Sequence, residues 1–573
     1  MAMIGRVEAL GAGLRRLPLA ALSLLCVVAA ATACGSRAAV PNRVEPIPYA
    51  DTLPSQQPAA RSPGEIERLL DASVSGEIGR ALSIRRLLGA EHEAQNVTRF
   101  DDVVNSTWFE HRNGRRRMSP AAVARGPITR GPDIDNTLTV IAGKTAGIAP
   151  AFTVRDARGD TFSFKFDPRG YLQLGSAASV ISSRLYWAAG YHTPEDRIVV
   201  FDAARLALDP EAVMETDHDE RPMSDDDIAL LLEGTDTLPD GRYLALAGKY
   251  VPGKRLGPFL FSGVRADDAN DWYRHEHRRE LRGLYVLSSW LNHVDMRFTN
   301  TMDVFIDPPG YVRHYLIHFT GTLGSGTIRS RRPREGTEYN FDIWATLGRV
   351  LTFGFLELGW EDRSHEELHP TIGWMPVETF DPGSWKPTWP NEAFDNRTPR
   401  DGYWGAKLVG SFSDEQIAAA VTAGRLPAEA ARALTDALIR RRDKVVSYWY
   451  AQVTPIESVE ATLNRDSDPG ALELTFDDLG LDAGVWEPGA TRYFWQLDDP
   501  ASGTRSSGDR AATPEGRQAI GIELRRSPGD VPGAAHDFAI LRLVASREGV
   551  TSGEARVYLR WTGSEYRVVG LEH

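Results

Sequence analysis

Two polar side chains that follow a predicted helix are spaced so that they could carry chemistry together. Asp295 and Asn300 lie in the run 292–300, between an amphipathic helix predicted over 276–292 and a pair of short predicted strands. A carboxylate can accept the proton of a hydroxyl group, and a side-chain amide can bind a metal ion through its oxygen. An aspartate and an asparagine at this spacing occur by chance in many long chains. Whether the pair forms a site therefore depends on the elements around it.

The elements upstream of this pair place a lysine and two glycines where they could bind an anionic ligand. A predicted strand leads into a turn over 143–147, which begins with Gly143 and ends with Gly147. Lys165 then lies within a strand predicted over 162–166, between two phenylalanines. A lysine in that position needs an anionic partner, and a phosphate would serve. The alternative is a lysine at a strand edge that extends its amine into solvent.

The order of glycine turn, strand lysine, helix, Asp–Asn loop and second strand is the order found in protein kinases. The chain resembles the atypical kinase fold of the HipA-type toxin kinases and the secreted CotH-type kinases. The resemblance implies that Lys165, Gly143 and Gly147 bind ATP, that Asp295 is catalytic, and that Asn300 binds magnesium or manganese. Residues 130–450 also resemble a group of uncharacterised bacterial proteins, and the shared phrases are Phe164–Pro168, Leu185–Tyr191, His275–Gly283 and Trp290–Asp295.

One departure from the kinase pattern concerns the metal. The resemblance requires a metal-binding aspartate at the end of the strand that follows the catalytic loop, and this chain has His318 there. A neutral imidazole is a softer ligand than a carboxylate and suits magnesium poorly. His318 is nevertheless the residue placed to bind a metal at that position, and Asp303 or Asp307 could replace the missing ligand.

The second departure concerns the partner of the lysine. The resemblance requires a glutamate on the helix predicted over 174–190, but that helix has no acidic residue and Ser179 occupies the expected position. We therefore expect Lys165 to be unpaired and the metal to lack ligands. Phosphoryl transfer depends on positioning and charge neutralisation, so these losses favour a binding or scaffolding pseudoenzyme. An active ATP-dependent kinase remains the alternative.

A metal-dependent hydrolase is a weaker alternative. Five histidines fall in a short stretch of the chain: His275, His277, His293, His314 and His318. Positions 275 and 277 are about 200° apart on a helix and cannot share a metal. Glu276 and Glu280 share a helix face, but the arginines around them indicate surface salt bridges instead. The chain also has no paired-cysteine spacing typical of a zinc site.

Aromatic residues cluster in a proline-rich stretch near the predicted C-terminal helices. This cluster comprises Trp374, Trp385, Trp389, Tyr403 and Trp404. It could line a groove for a glycan or peptide of the cell envelope. Packing that holds an irregular segment in place is the favoured interpretation, because this stretch has few predicted helices.

The first segment of the chain indicates secretion. Basic residues precede an apolar run over 17–33, and the sequence Ala31–Cys34 resembles the lipobox of bacterial lipoproteins. We therefore predict a signal peptide over 1–33, acylation of Cys34 as the lipid anchor, and a flexible proline-containing stalk over 34–63. The expected location is extracytoplasmic, on the outer membrane if the cell has one. The expected partners are membrane lipid and an unidentified envelope ligand or protein.

Composition bounds the remaining possibilities. The chain has 573 residues and a net charge of −13, with seven lysines, 58 arginines and two cysteines. No basic block is long enough to follow a phosphate backbone, so nucleic acid is not an expected partner, and two cysteines exclude a disulfide scaffold. The predicted class is α+β. We expect a bilobal kinase-like body over 64–454, with an N-lobe at about 130–250 and a helical C-lobe at about 251–454, and a β-rich domain over 455–573.

Overall fold

The structure is a computed structural model that describes most of the chain beyond residue 50. The described residues are 51–62, 64, 92–144, 151–216, 220–340, 342–353, 355, 358, 360–361, 364–464, 471–499, 504–514, 516–523 and 538–573. The predicted signal peptide, Cys34 and Gly147 lie outside them. Within the described part of the chain, no helix is both long and apolar enough to cross a membrane.

The architecture is mixed α+β, as the sequence predicts. The helices are α1 Pro120–Arg125, α2 Leu174–Ala189, α3 Asp225–Glu233, α4 Arg279–Trp290, α5 Ile343–Leu351, α6 Glu392–Asp395, α7 Pro399–Gly410, α8 Asp414–Thr422, α9 Ala428–Tyr450 and α10 Leu479–Asp482. The strands of the first part of the chain are β1 Leu138–Lys144, β2 Ala151–Arg155, β3 Thr161–Lys165, β4 Glu195–Phe201, β5 Leu206–Glu215, β6 Glu220–Pro222, β7 Tyr243–Lys249, β8 Lys254–Gly257, β9 Thr301–Ile306 and β10 Tyr311–Leu316. Those of the last part are β11 Ile456–Asn464, β12 Ala471–Asp478, β13 Thr491–Asp499, β14 Thr504–Ala511, β15 Gln518–Glu523, β16 Phe538–Arg547, β17 Val550–Thr551, β18 Ala555–Trp561 and β19 Tyr566–Glu572.

A seven-stranded sheet carries the lysine singled out by the sequence. Its order is β4-β7-β3-β2-β1-β5-β6, and β1 runs parallel to β5 while the other pairs are antiparallel. Side chains alternate across β3, so Phe162 and Phe164 are buried with α3 while Ser163 and Lys165 lie on the opposite face. The lysine therefore does not share the environment of its phenylalanine neighbours.

Helix α4 is buried along its whole length and ends where the Asp–Asn loop begins. It packs closely on α7, because Gly283 leaves room for the ring of Trp404. A Cβ atom at Gly283 would lie only 2.5 Å from that ring. The loop with Asp295 therefore begins at the end of a helix that is packed on all sides.

Buried ion pairs hold the first turn of α4. Arg279 and Arg282 are fully buried, and both contact the carboxylate of Asp401 on α7, at 2.6 and 3.1 Å. Arg279 also contacts Asp101 at 2.9 Å, and Asp101 pairs with Arg400 at 2.8 Å. The prediction that these helix arginines form surface salt bridges is therefore wrong. The side chains of both arginines and of Asp101 and Asp401 are fully buried, so each of these charges depends on its partner.

A hairpin returns the chain to the Asp–Asn loop. Strands β9 and β10 pair antiparallel and form a three-stranded sheet with β8, in the order β10-β9-β8. The amide of Ile317 donates to the carbonyl of Asn300 at 2.9 Å. This hydrogen bond places His318 beside the end of the loop, although 18 residues separate it from Asn300.

The strands after residue 455 form two sheets with one shared apolar cluster. Their orders are β11-β12-β15 and β14-β13-β16-β18-β19, with β17 paired to β16. The predicted terminal hairpin is confirmed as β18 and β19. Contacts with the helical part include His573 on Asp101 at 3.2 Å and Lys407 on Glu457 at 2.5 Å.

Residues 51–62, which belong to the segment predicted as a flexible stalk, lie along the body. The amide of Ser55 donates to the carbonyl of Gly310, and the amide of Arg61 donates to that of Leu256, both at 2.8 Å. Asp267 receives a further hydrogen bond from the amide of Ala59 at 2.9 Å. This part of the segment is bound rather than loose.

We predict that Asp401→Ala will destabilise the protein strongly. The change leaves Arg279 and Arg282 buried without this carboxylate and removes the side chain that caps α7. Loss of one partner of a buried pair costs about 3–5 kcal/mol, measurable as the free energy of unfolding in urea. The matched control is Asp240→Ala, which removes an exposed ion pair with Arg242 and should leave the urea midpoint unchanged. Equal effects of the two changes would contradict the structural role of the network.

Candidate functional site

One cavity brings together the predicted site residues that the structure describes. It has a volume of about 770 Å³ and lies between the seven-stranded sheet, the β8–β10 sheet and the Asp–Asn loop. Its lining includes Gly143, Lys165, Asp295, Asn300 and His318. These residues come from four separate parts of the chain, so only the tertiary fold places them on one surface.

Asp295 and Asn300 face each other at the base of this cavity. The side-chain amide nitrogen of Asn300 donates to the backbone carbonyl of Asp295 and lies 3.2 Å from its carboxylate oxygen Oδ2. The other carboxylate oxygen, Oδ1, lies 2.9 Å from Nε of Arg297, which is partly exposed to the cavity. Asp295 therefore stays accessible to a ligand while its charge is balanced by a neighbouring guanidinium.

The carboxylate that acts on Lys165 most strongly is Asp196 on β4. Burial lowers the pKa of Lys165, and the nearby carboxylate of Asp196 opposes that effect. The hydroxyl of Ser179 on α2 donates to Asp196 at 2.9 Å. Gly248 on β7 leaves space for this carboxylate, because a Cβ there would lie 2.9 Å from its oxygen. Helix α2 has no acidic residue, and the strand after it supplies the carboxylate that interacts electrostatically with Lys165.

His318 projects into the cavity from a strained backbone position. Its φ of 62° lies in the left-handed region, which is uncommon for a residue other than glycine. The positive charge of Lys165, followed by burial, lowers the pKa of the His318 imidazole to about 3. The side chain is therefore neutral at physiological pH and cannot balance the charge of a neighbouring cation.

Gly143 lines the cavity, but its lack of a side chain is explained by packing within the sheet. A Cβ there would lie 2.9 Å from the terminal methyl groups of both Met214 and Met223. The glycine therefore makes room for these two methionines. Gly147, predicted at the other end of the turn, lies outside the described residues.

The amino-terminal turn of α2 reaches the cavity, but an internal carboxylate already occupies it. Asp167 accepts hydrogen bonds from the amides of Gly175 and Ser176 at 2.8 and 2.9 Å, and one from the Ser176 hydroxyl at 2.5 Å. Free amides at a helix terminus can bind phosphate. Here Asp167 takes that role, so these two amides are not free to bind an anion.

An aromatic stack connects α2 with both loops of the site. Phe319, the residue after His318, stacks on Tyr186 of α2, with ring centres 5.2 Å apart, and lies 5.7 Å from the ring of His293. The hydroxyl of Tyr186 also lies 3.2 Å from Nδ1 of His293. The loops that carry His318 and Asp295 are therefore joined through these buried rings and do not take their positions independently.

The other histidines considered for a metal hydrolase have structural partners. His275 pairs with Asp271 and His314 with Asp303, both at 2.7 Å, and Trp108 stacks on His314. Among the described residues, no group of three histidines, cysteines, aspartates or glutamates is arranged to hold a metal. These contacts give no support to the hydrolase alternative.

Most of the aromatic cluster belongs to the core, as the favoured interpretation predicts. Trp374, Trp385, Tyr403 and Trp404 are each at most 4% exposed, and only Trp389 has an exposed side chain, at 44%. The hydroxyl of Tyr285 donates to the carbonyl of Trp385, which holds the irregular segment on α4. The four buried side chains expose too little surface to form a groove for a glycan or peptide.

The three residues that the kinase resemblance assigns to the catalytic and metal-binding positions fit a magnesium ion poorly. Asp295 offers one carboxylate that is already paired with Arg297, Asn300 offers one amide, and His318 is an imidazole beside a lysine. Magnesium requires oxygen ligands in near-octahedral geometry. Asp303 cannot replace the missing ligand, since it is fully buried between Arg265 and His314, and Asp307 is not among the lining residues.

Comparisons with protein-family models, with curated proteins and with solved structures find no match for this chain. The description of the site therefore rests on its geometry.

We predict that Asp196→Asn will make the amine of Lys165 more reactive. Asp196 is the group that favours the charged lysine, so its neutralisation leaves burial and Lys144 to lower the pKa of Lys165 further. Each unit of pKa shift changes the neutral fraction about tenfold. Labelling with an amine-reactive reagent at mildly alkaline pH, followed by peptide mass spectrometry, measures this fraction against Lys386 as an internal reference.

The matched control for this prediction is Ser179→Ala, which removes a hydrogen bond to Asp196 but keeps its charge. We expect a smaller change in Lys165 labelling than for Asp196→Asn. Unchanged or slower labelling of Lys165 in Asp196→Asn would show that this carboxylate does not set the state of the lysine.

Proposed function

We propose that this protein is an envelope lipoprotein whose kinase-like body binds a phosphorylated small molecule, with ATP as the first ligand to test. In this proposal the protein acts as a binding or scaffolding pseudoenzyme that transfers phosphate poorly or not at all. The observation that carries the proposal is the single cavity that collects Lys165, Asp295, Asn300 and His318.

The order of elements around the cavity supports a kinase-like body. Lysine ends the third strand and a helix follows it, and the Asp–Asn loop comes after the buried helix α4 and before a hairpin. Protein kinases place their nucleotide lysine, catalytic aspartate and metal-binding asparagine in this order. We assign the sheet at about 130–250 to an N-lobe, the helices at about 251–454 to a C-lobe, and the strands over 455–573 to a separate β-rich domain.

The size and lining of the cavity suit a nucleotide. Ligand pockets for small molecules typically occupy about 300–1,000 Å³, and this one has about 770 Å³. Apolar side chains from both sheets lie on the same surface as the charged groups, including those of Leu246, Met302 and Ile317. A base and sugar could contact these apolar groups while the phosphates lie among the cationic ones.

Two features argue against efficient phosphoryl transfer. The position that should carry the principal metal-binding carboxylate holds neutral His318, and the carboxylate of Asp295 is paired with Arg297. Phosphoryl transfer depends on metal ions that bridge the phosphates and on an aspartate free to accept a proton. The predicted extracytoplasmic location points the same way, since little ATP is available there.

We predict that the full-length protein, purified in detergent, will bind ATP and that Lys165→Met will remove the binding. At a ligand concentration 100 times Kd, one site adds about 2.7 kcal/mol to the stability of the folded state. Calorimetry gives the affinity, and a thermal melt with ATP, ADP or adenosine shows whether the phosphates carry it. Adenosine should bind more weakly than ATP.

The matched control variant is Lys254→Met, which changes an exposed lysine outside the cavity lining and should bind ATP like the wild type. Absence of ATP binding in the wild type under every metal condition would overturn the proposed function, as would normal binding in Lys165→Met. Transfer of labelled phosphate from ATP, lost in Asp295→Asn, would instead support the active-kinase alternative.

A further inference from the structure

A group of large apolar side chains is exposed on helix α5 and on the turn that follows it. Leu347, Val350, Leu351, Phe353 and Phe355 fall within nine positions of the chain, and their exposed fractions range from 44% to 91%. Elsewhere in the described part of the chain, exposed side chains of this kind lie well apart in the sequence. Single exposed apolar residues are ordinary, but a contiguous apolar patch marks a surface that contacts an apolar partner. We call these five residues the α5 patch.

Helix α5 is held so that its apolar face points away from the body. The three patch residues that lie in the helix share one face, because they are three and four positions apart. Arg349 lies on the opposite face, and its guanidinium pairs with Glu361. Asp342, just before the helix, is buried and accepts a hydrogen bond from the ammonium of Lys386 at 2.8 Å. A surface helix of a globular domain normally has the reverse arrangement, with its apolar face toward the core.

Hydrogen bonds also fix the turn that carries the two phenylalanines. The amide of Phe353 donates to the carbonyl of Val350 at 3.2 Å, and the amide of Phe355 donates to the carbonyl of Thr352 at 3.0 Å. The φ of Phe353 is 53°, in the left-handed region that bulky residues rarely adopt. Its side chain is 91% exposed. The turn therefore combines backbone strain with an aromatic ring that the body does not cover, and such combinations point to a functional contact.

The partner that the rest of the chain brings within reach is a lipid surface. The segment that leads to Cys34 meets the body at Asp51, whose carboxylate accepts hydrogen bonds from the amide and the hydroxyl of Thr107 at 2.7 and 2.6 Å. Seventeen positions separate Cys34 from Asp51, and an extended chain of that length spans at most about 60 Å. An acylated Cys34 would therefore keep the body close to a bilayer, and tethering raises the effective concentration of a second contact.

The charges near the α5 patch favour a lipid surface of little net charge. The two ion pairs that hold the helix are each neutral overall, while Glu366 and Glu367 are exposed further along the chain. A second copy of the protein would bring its own net charge of −13, and like charge opposes self-association. Zwitterionic phospholipid headgroups cause no such repulsion.

We propose that the α5 patch docks on the phospholipid surface to which Cys34 anchors the protein. This inference rests on the proposed function, because it requires the lipid anchor. The apolar face of an interfacial helix lies about 5–10 Å deep, at the boundary between headgroups and acyl chains. The patch would occupy that layer, and the body would take a fixed orientation on the membrane instead of depending on a single tether.

The test measures the depth of a fluorescent label on the α5 patch. The full-length protein carries the label on a cysteine introduced by Phe353→Cys and is reconstituted in phosphatidylcholine vesicles. The matched control carries it at Val550→Cys, an exposed position on β17. We expect lipids with a nitroxide on the acyl chain to quench the label at position 353, and aqueous iodide to quench only the label at position 550. Equal quenching by iodide at both positions, with the protein still on the vesicles, would overturn the inference and leave the proposed function standing.

Two further readouts separate the inference from the proposed function. Mass spectrometry of the same sample reports whether Cys34 is acylated. An unmodified Cys34, or protein that does not float with the vesicles, would overturn the lipid-anchored part of the proposed function. A label at position 353 that is shielded from iodide but not quenched by lipid would show that protein covers the patch, which would overturn the inference alone.

Substitution within the patch shows whether its apolar side chains cause the contact. In the double variant Leu351→Ser and Phe355→Ser, we expect iodide to reach the label at position 353 as readily as the label at position 550. Both side chains are exposed, so the urea midpoint should stay the same. The matched control Leu230→Ser changes an exposed leucine of α3 and should leave the depth of the label unchanged. Continued quenching by lipid in the double variant would overturn the inference.

Discussion

The structure around the cavity depends on a set of ion pairs from which water is excluded. Arg279 and Arg282 emerge from the first turn of α4 and meet carboxylates from two distant segments, Asp101 and Asp401. Burial alone raises the pKa of Asp101, but the surrounding cations, led by Arg279, hold it well below its ordinary value. The helix therefore has one placement in which each of these charges has a partner. Because the loop with Asp295 follows the helix directly, the same ion pairs also fix where that loop begins.

The cavity differs from a metal-dependent phosphoryl-transfer site in how it distributes charge. The asparagine and aspartate of the loop face each other, yet the aspartate has an arginine partner and the next expected ligand is a neutral ring. The charged form of the lysine is favoured by Asp196, a residue that the kinase resemblance does not assign. Each of these departures supports the proposed binding role over phosphoryl transfer.

Local signals allowed much of the fold to be predicted. Ser224 and Ser413 mark the starts of α3 and α8 through their caps, and short turns between apolar runs indicate the hairpins. The five predicted residues that line the cavity could be found because the order of the elements around them is recognisable. Pairings between distant parts of the chain could not, and strand β5, which joins the sheet parallel to β1, is an example.

The errors share one physical cause. The arginines of α4 have the spacing of a solvated helix face, and nothing local shows that Asp101 and Asp401 will cover them. In the sequence, Asp196 is likewise an ordinary residue at the start of a strand. Only the pairing of β4 with β7 brings it near Lys165. A charged group can be buried only where a partner of opposite charge meets it, and in both cases that partner is distant in the sequence.

The identity of residue 318 also has a genetic consequence. The codons for histidine and aspartate differ by a single base, so a carboxylate at this position is one mutational step from the imidazole. The hairpin, the aromatic stack behind Phe319 and the loop with Asn300 do not depend on the ring of His318. One base change could therefore put a carboxylate at this corner of the cavity without rebuilding the fold around it.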